Sequence, residues 1–180
     1  MPSILFISSN DLVRGPLAVA LLSSLARPEW LWQIGSAGMM VQAAPQPVHP
    51  LLYRIMRARG LDRYLQPARP VTVELLKDAD LILCMEQTHL HWLGVGMPDF
   101  PDWPGMAAQA GATGRAYLFS EMFGARVQDD VTCRDNPTIE ELKVAAENLE
   151  DLLKQSLPRM RELLGSARRL WFGNIASPNA

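Results

Sequence analysis

The stretch "ILFISSNDLVRGPLAVALL", residues 4–22, runs from a short apolar segment through a polar loop into an alanine- and leucine-rich segment. Ile4–Ile7 predicts a buried strand, and Pro16–Leu25 predicts a helix, because proline is well tolerated in the first turn of a helix. A strand followed by a loop and a helix N-terminus directs several backbone N–H groups at one point. Arg14 adds a guanidinium, which can bind phosphate in a bidentate manner. The stretch therefore predicts an anion pocket at residues 8–15. An ordinary turn without a ligand is the alternative that the local sequence leaves open.

The rest of the chain alternates short apolar runs with helical patterns. The predicted further strands are Trp30–Gly38, Ala79–Met85 and Arg115–Phe119, and the predicted further helices are His49–Gly60, Val73–Lys77 and one that begins after Thr138. Glu141 completes a capping box with Thr138 at the start of that last helix. Strands separated by helices predict a single three-layer α/β domain, a four-stranded parallel sheet with helices on both faces. We place this domain at residues 1–164, with an inserted loop at about 94–114 and a C-terminal tail at 165–180.

Composition narrows the classes of function. The 180 residues carry a net charge of −2 with 48% hydrophobic residues, which favours neither nucleic acid nor an anionic membrane as a partner. No stretch reaches the roughly 20 apolar residues of a membrane span, and no signal peptide is visible, so we expect a cytoplasmic protein. The two cysteines, Cys84 and Cys133, form neither a disulfide framework nor a zinc-ligand spacing, and we predict no metal and no cofactor.

The loop and several later segments resemble the low-molecular-weight protein tyrosine phosphatases. That family has the pattern C-x-x-N-x-C-R-S-P, where this chain has "SSNDLVRGP". "IGSAG" (34–38), the segment 51–89 and "VQDD" (127–130) match later family segments in order and spacing. The resemblance implies the fold predicted above, with a phosphate loop made of Ser8, Ser9, Asn10, Asp11, Leu12, Val13, Arg14 and Gly15.

Four positions of the loop depart from the family pattern. The resemblance places Ser8 at the nucleophilic cysteine, Asp11 at the asparagine that braces the loop, Val13 at the second cysteine and Gly15 at a serine that steadies the thiolate. A thiolate is stabilised by a helix N-terminus and an arginine, whereas a serine hydroxyl stays protonated there and needs a general base. Only Asp11 is a candidate base within the loop, and its charge would repel phosphate. Arg14 keeps the phosphate-clasping position, but it could instead pair internally with Asp11 or Asp129.

The resemblance also places a general acid at Asp129. The family has a proline after this aspartate, where the present chain has Asp130. Loss of the proline removes a fixed φ, and a second carboxylate repels an incoming phosphate. Two interpretations of Asp129 and Asp130 stay open: a degraded general acid, or a pair of solvated loop carboxylates.

These departures leave three interpretations of function. The first is a catalytically impaired homologue, a pseudophosphatase that binds an oxyanion on a phosphorylated or acidic partner; relatives act against tyrosine kinases of surface polysaccharide production, which suggests a partner by analogy only. The second is an active phosphomonoesterase for phosphotyrosine that uses Ser8 or water. The third, an arsenate reductase, is disfavoured because Ser8 and Val13 replace cysteines.

Other side chains are weaker candidates. Glu86, His89 and His91 lie close together in sequence, but the spacing of the two histidines turns them to different faces of a helix, which favours a capping or surface role over metal binding. Cys133 is a possible substitute thiol, and Cys84 is expected in the core. The tail, with Leu170–Phe172, could dock onto a partner or fold back onto the body.

Overall fold

The computed structural model describes residues 1–41, 45–96, 105–124, 133–134 and 136–173, with side chains described to residue 165. The strands are β1 (Ser3–Ser8), β2 (Gln33–Gly38), β3 (Leu81–Cys84) and β4 (Ala116–Leu118). The helices are α1 (Arg14–Leu25), α2 (Pro50–Ala58), α3 (Val73–Asp78), α4 (Gln87–Val95), α5 (Met106–Gln109) and α6 (Ile139–Gly173).

The four strands form one parallel sheet in the order β2-β1-β3-β4. Alternate residues of the central strands face opposite sides: Ile4 and Phe6 pack with α1, α2 and α6, whereas Leu5 and Ile7 pack with α3, α4 and α5. The predicted three-layer α/β fold is confirmed.

The boundaries of several elements differ from the prediction. The strand predicted at Trp30–Gly38 begins at Gln33, because Pro28–Trp30 forms a 3-10 turn and Leu31 follows with a φ of +52°. Helix α4 is not among the predicted elements, and the loop predicted at 94–114 contains α5. Helix α6 passes through the predicted start of the tail and continues to Gly173. The docking of the tail is not described, because the side chains of Leu170–Phe172 lie outside the described residues.

The capping box at the start of α6 is confirmed. The Thr138 N–H donates to the Glu141 carboxylate at 2.8 Å, and the Glu141 N–H donates to the Thr138 hydroxyl at 3.2 Å. Leu142, Leu149 and Leu153, which belong to the predicted apolar stripe, are buried against the sheet. The capping box depends only on residues three positions apart in sequence, so it could be predicted locally, and the folded chain keeps it.

Candidate functional site

The candidate site lies where the direction of chain progression reverses in the sheet. From β1 the chain moves to β2 on one side and then to β3 on the other, so the carboxyl ends of β1 and β3 face a common crevice. Ligands of open α/β sheets bind at such switch points. The loop 9–13 follows β1 on one side of the crevice, and Glu86 and His89 follow β3 on the other.

Ser8 and the neighbouring N–H groups form the deep part of the loop. Ser8 is 1% exposed, and its hydroxyl has no hydrogen-bond partner among the described residues. Within the described part of the chain, the N–H groups of Asn10, Asp11 and Val13 make no backbone hydrogen bond. No side chain caps the N-terminus of α1. These donors and the Ser8 hydroxyl fit an oxyanion, because buried polar groups ordinarily have partners.

Asp11 is buried in the loop in a left-handed conformation with a φ of +55°. One carboxylate oxygen, Oδ2, accepts the Arg69 N–H at 3.3 Å. Oδ1 makes no well-formed hydrogen bond among the described residues, although the Ser36 hydroxyl lies beside it. Burial raises the pKa of Asp11 to about 7, against the smaller lowering effects of Ser36 and Arg69.

Gly15 leaves the space that Asp11 occupies. A Cβ at position 15 would lie 2.2 Å from Asp11 Oδ1 and 2.9 Å from the Ser36 Cβ, closer than real atoms approach. In this structure the Asp11 carboxylate occupies volume that a side chain at residue 15 would need. We call Ser8, Asp11 and Gly15 the floor of the loop.

Arg14 is held by partners on both sides of the crevice. Its side chain is 8% exposed and pairs through Nη1 with Glu86 Oε1, while Nη2 donates to the Ser9 hydroxyl at 2.9 Å. Burial raises the pKa of Glu86, but the hydrogen bond and charge of Arg14 and the charge of His89 hold it below its usual range. Of the two internal partners considered for Arg14, Asp11 was wrong, because its carboxylate accepts the Arg69 N–H instead. Asp129 lies outside the described residues, so its pairing with Arg14 stays a prediction.

His89 joins the same network. Its Nε2 lies 3.0 Å from the Ser9 hydroxyl and 3.8 Å from Glu86 Oε2, and the residue is fully buried. A surface or capping role for His89 was therefore wrong, since α4 turns it inward onto the loop, whereas His91 is exposed. We call Ser9, Arg14, Glu86 and His89 the rim of the loop. The sequence signal for the rim was the spacing of Glu86 and His89 just after a buried strand.

A cavity of about 870 Å³ opens beside the rim. Its lining includes Ser9, Arg14, Glu86 and, from the opposite side, Cys133 and the first turns of α6. This volume suits a small organic group attached to a bound oxyanion. Cys133 thus reaches the cavity, whereas Cys84 is buried in the core as predicted.

The side chains of the other predicted loop residues pack in the core or shape the loop. Val13 is buried in the core with α1, and Leu12 packs partly against the same cluster. Asn10 accepts the Leu12 N–H at 3.1 Å and shapes the loop. Among the described residues, no group of three or more His, Cys, Asp and Glu side chains could hold a metal ion. Nor does any described helix have the length and apolar character needed to cross a membrane.

A loop with Arg14 at the end of the first strand of a four-stranded parallel sheet is the arrangement that the family resemblance implies. The family profile of low molecular weight phosphotyrosine protein phosphatases matches residues 3–95, more than half of the chain. The protein belongs to that family. A comparison with curated proteins found no match.

Solved structures support the same fold. A YwlE mutant from Bacillus subtilis is 24% identical, with a TM-score of 0.72 over 89% of this chain and 99% of that chain. A low molecular weight protein tyrosine phosphatase from Bacillus subtilis is 25% identical, with a TM-score of 0.69 over 93% and 99%. A cysteine-to-serine mutant of the YwlE arginine phosphatase with a phosphorylated active site serine is 25% identical, with a TM-score of 0.70 over 89% and 95%.

Proposed function

We propose that this protein is a catalytically impaired member of its family, which binds the phosphoryl group of a partner protein and turns it over very slowly or not at all. The single observation that carries the proposal is the environment of Ser8. Its hydroxyl is buried and has no hydrogen-bond partner among the described residues, so none of the described side chains is placed to take its proton. Without a base, a serine is a poor nucleophile even beside a helix N-terminus.

Retained binding rests on different groups. The unpartnered N–H groups of the loop and the Arg14 guanidinium supply charge-assisted donors, which contribute about 1.5–3 kcal/mol each when water is excluded. The carboxylates of Asp11 and Glu86 oppose an anion. We therefore expect weak binding of inorganic phosphate, in the millimolar range that corresponds to about 4 kcal/mol.

The test is turnover of an aryl phosphate by the wild-type protein and by Ser8→Cys. We expect no hydrolysis by the wild type above the buffer blank. Ser8→Cys should hydrolyse the aryl phosphate only slowly, because Asp11 and Gly15 still shape the floor. Ser120 is the matched control, since it is also 1% exposed with an unpartnered hydroxyl among the described residues, and it belongs to the 3-10 turn after β4 rather than to the loop. Wild-type turnover that is lost in Ser8→Ala and kept in Ser120→Ala would contradict the proposal, and so would vigorous hydrolysis by Ser8→Cys.

A second candidate function is the transfer of one phosphoryl group from the substrate to Ser8, without later hydrolysis of the phosphoserine. The phosphorylated active site serine of the YwlE mutant favours it, since a serine in a related site holds a phosphoryl group there. In this reaction the Ser8 oxygen forms a bond to phosphorus, the bond to the leaving oxygen breaks, and that oxygen takes up the hydroxyl proton. Intact-mass measurement after incubation with an aryl phosphate distinguishes the candidates: a gain of one phosphoryl group, absent in Ser8→Ala, supports the second.

A further inference from the structure

The contact between Ser9 and His89 joins the two sides of the crevice. The Ser9 hydroxyl lies 3.0 Å from His89 Nε2 and accepts a hydrogen bond from Arg14 Nη2 at 2.9 Å. A serine hydroxyl has only one proton to donate. While Nε2 is unprotonated, that proton is directed at the imidazole, and Ser9 offers none to a ligand.

Protonation of the imidazole reverses this arrangement. With a proton on Nε2, His89 becomes the donor and the Ser9 oxygen the acceptor, so the hydroxyl proton must point elsewhere. Ser9 is partly exposed and lines the 870 Å³ cavity beside Arg14. The hydroxyl then has an open direction in which to donate, toward the position that an oxyanion bound by Arg14 would take.

The surroundings of His89 support the charged state once an anion is bound. Glu86 Oε2 lies 3.8 Å from Nε2, and Arg14 acts on the ring through Ser9. The elements packed against α4 are β3, β4 and α5; their titratable side chains are Cys84 on β3 and Tyr117 on β4, and α5 has none. Among the described residues, the Glu86 carboxylate therefore lies near the ring, and the Arg14 guanidinium contacts the Ser9 hydroxyl that bonds it. An added dianion shifts this balance toward the imidazolium.

We propose that Ser9 and His89 are a further part of the oxyanion site, where the imidazole takes up a proton when a dianion binds and so turns the Ser9 hydroxyl toward the ligand. The ligand class is a tetrahedral dianion, such as a phosphate monoester. This inference rests on the proposed binding function and extends it. It makes His89 a positioning residue, because it acts on the ligand through Ser9.

The experiment measures the binding of inorganic sulfate by calorimetry, because sulfate stays a dianion and its own titration does not interfere. The Asp11→Asn variant serves as the background, because it removes a buried carboxyl whose pKa is raised to about 7. In this background we expect sulfate affinity to rise about tenfold from about pH 8 to about pH 5.5, the range in which histidine titrates. Measurements in two buffers of different ionisation enthalpy should show proton uptake on binding.

Two variants of α4 make the test specific. His89→Asn keeps a polar side chain that cannot be protonated, and it should lose both the pH dependence and the proton uptake. His91→Asn, an exposed neighbour on the same helix, should keep both. If His89→Asn fails to fold, the imidazole resonance of His89 in the folded Ser9→Ala variant provides the second measurement: sulfate should shift its titration less than in the protein with Ser9 intact.

The outcomes separate this inference from the proposed function. Sulfate binding whose pH dependence is the same in His89→Asn, or an equal shift of the His89 titration with and without Ser9, overturns the inference alone. The absence of sulfate binding at every pH overturns the proposed function and this inference with it. Loss of the pH dependence in His89→Asn, but not in His91→Asn, supports both.

Discussion

The floor and the rim of the phosphate loop differ in how their polar groups are satisfied. In the floor, Ser8 Oγ and Asp11 Oδ1 are buried without well-formed hydrogen bonds among the described residues. In the rim, Arg14 bonds both Glu86 and Ser9, and Ser9 also bonds His89. Under the proposed function, these two regions separate properties that an active phosphatase combines: the floor lacks the groups for nucleophilic attack, and the rim supplies groups that hold an anion.

The largest expected effect concerns the floor, where the buried Asp11 should make the stability of the protein depend on pH. Because the pKa of Asp11 is raised to about 7 in the folded state, folding takes up a proton between about pH 4 and pH 7. The stability from this group is present at low pH and is lost as pH rises through about 7, by up to about 4 kcal/mol for a shift of this size. Asp11→Asn should remove that loss. We therefore expect the stability gain of Asp11→Asn over the wild type to grow with pH in urea unfolding.

The control for this prediction is Asp78→Asn, which changes an exposed carboxylate at the end of α3. Its difference from the wild type should stay small at every pH. A difference between Asp11→Asn and the wild type that does not vary with pH would mean that Asp11 titrates normally, and the floor would not be strained by a buried charge.

The next effect tests whether the rim holds Arg14 for binding. Arg14→Met should abolish detectable sulfate binding, a loss of at least about a hundredfold, because two charge-assisted donors are removed. It should also lower the free energy of unfolding by about 2 kcal/mol, since Glu86 loses its partner in a partly buried place. Adding Glu86→Gln should recover much of the stability and none of the binding.

The matched control is the Arg59–Glu150 pair, which joins α2 to α6 and is more exposed. Arg59→Met should cost about 1 kcal/mol or less and leave sulfate binding unchanged. Sulfate affinity that survives Arg14→Met would show that the backbone N–H groups of the loop, rather than the rim, carry the binding.

The smallest effect tests the dependence of Gly15 on Asp11. Gly15→Ala should destabilise the protein by about 1–3 kcal/mol, because the new Cβ overlaps Asp11 Oδ1. In Asp11→Gly, which removes that oxygen and accepts the positive φ, the part of the cost that comes from this overlap should disappear, while the contact with the Ser36 Cβ at 2.9 Å remains. A double-mutant cycle in urea unfolding measures the coupling.

Gly94→Ala on α4 is the control for backbone effects, since nothing lies within 4 Å of its added Cβ. It should be neutral or stabilising by up to about 1 kcal/mol, as expected for alanine in a helix. Additive effects of the changes at residues 11 and 15 would contradict the proposed exchange of volume between them.

Much of the fold could be predicted from the sequence because its signals are local. The apolar run before Ser8, the proline at the start of α1 and the capping box at Thr138 each depend on residues a few positions apart. The boundary of β2 could not be predicted in this way, because the turn at Pro28–Trp30 and the αL conformation of Leu31 interrupt an otherwise apolar run.

The sequence by itself determined the family, the parallel α/β fold and the absence of a cysteine at position 8, since each follows from residue identity and order. Only the tertiary structure decided which carboxylate pairs with Arg14, that His89 faces Ser9, and that Asp11 fills the volume beside Gly15. Residues that are 72 and 80 positions apart meet in these contacts because β1 and β3 are neighbours in the sheet. Sequence spacing carries no information on such pairs until strand order brings them to one crevice.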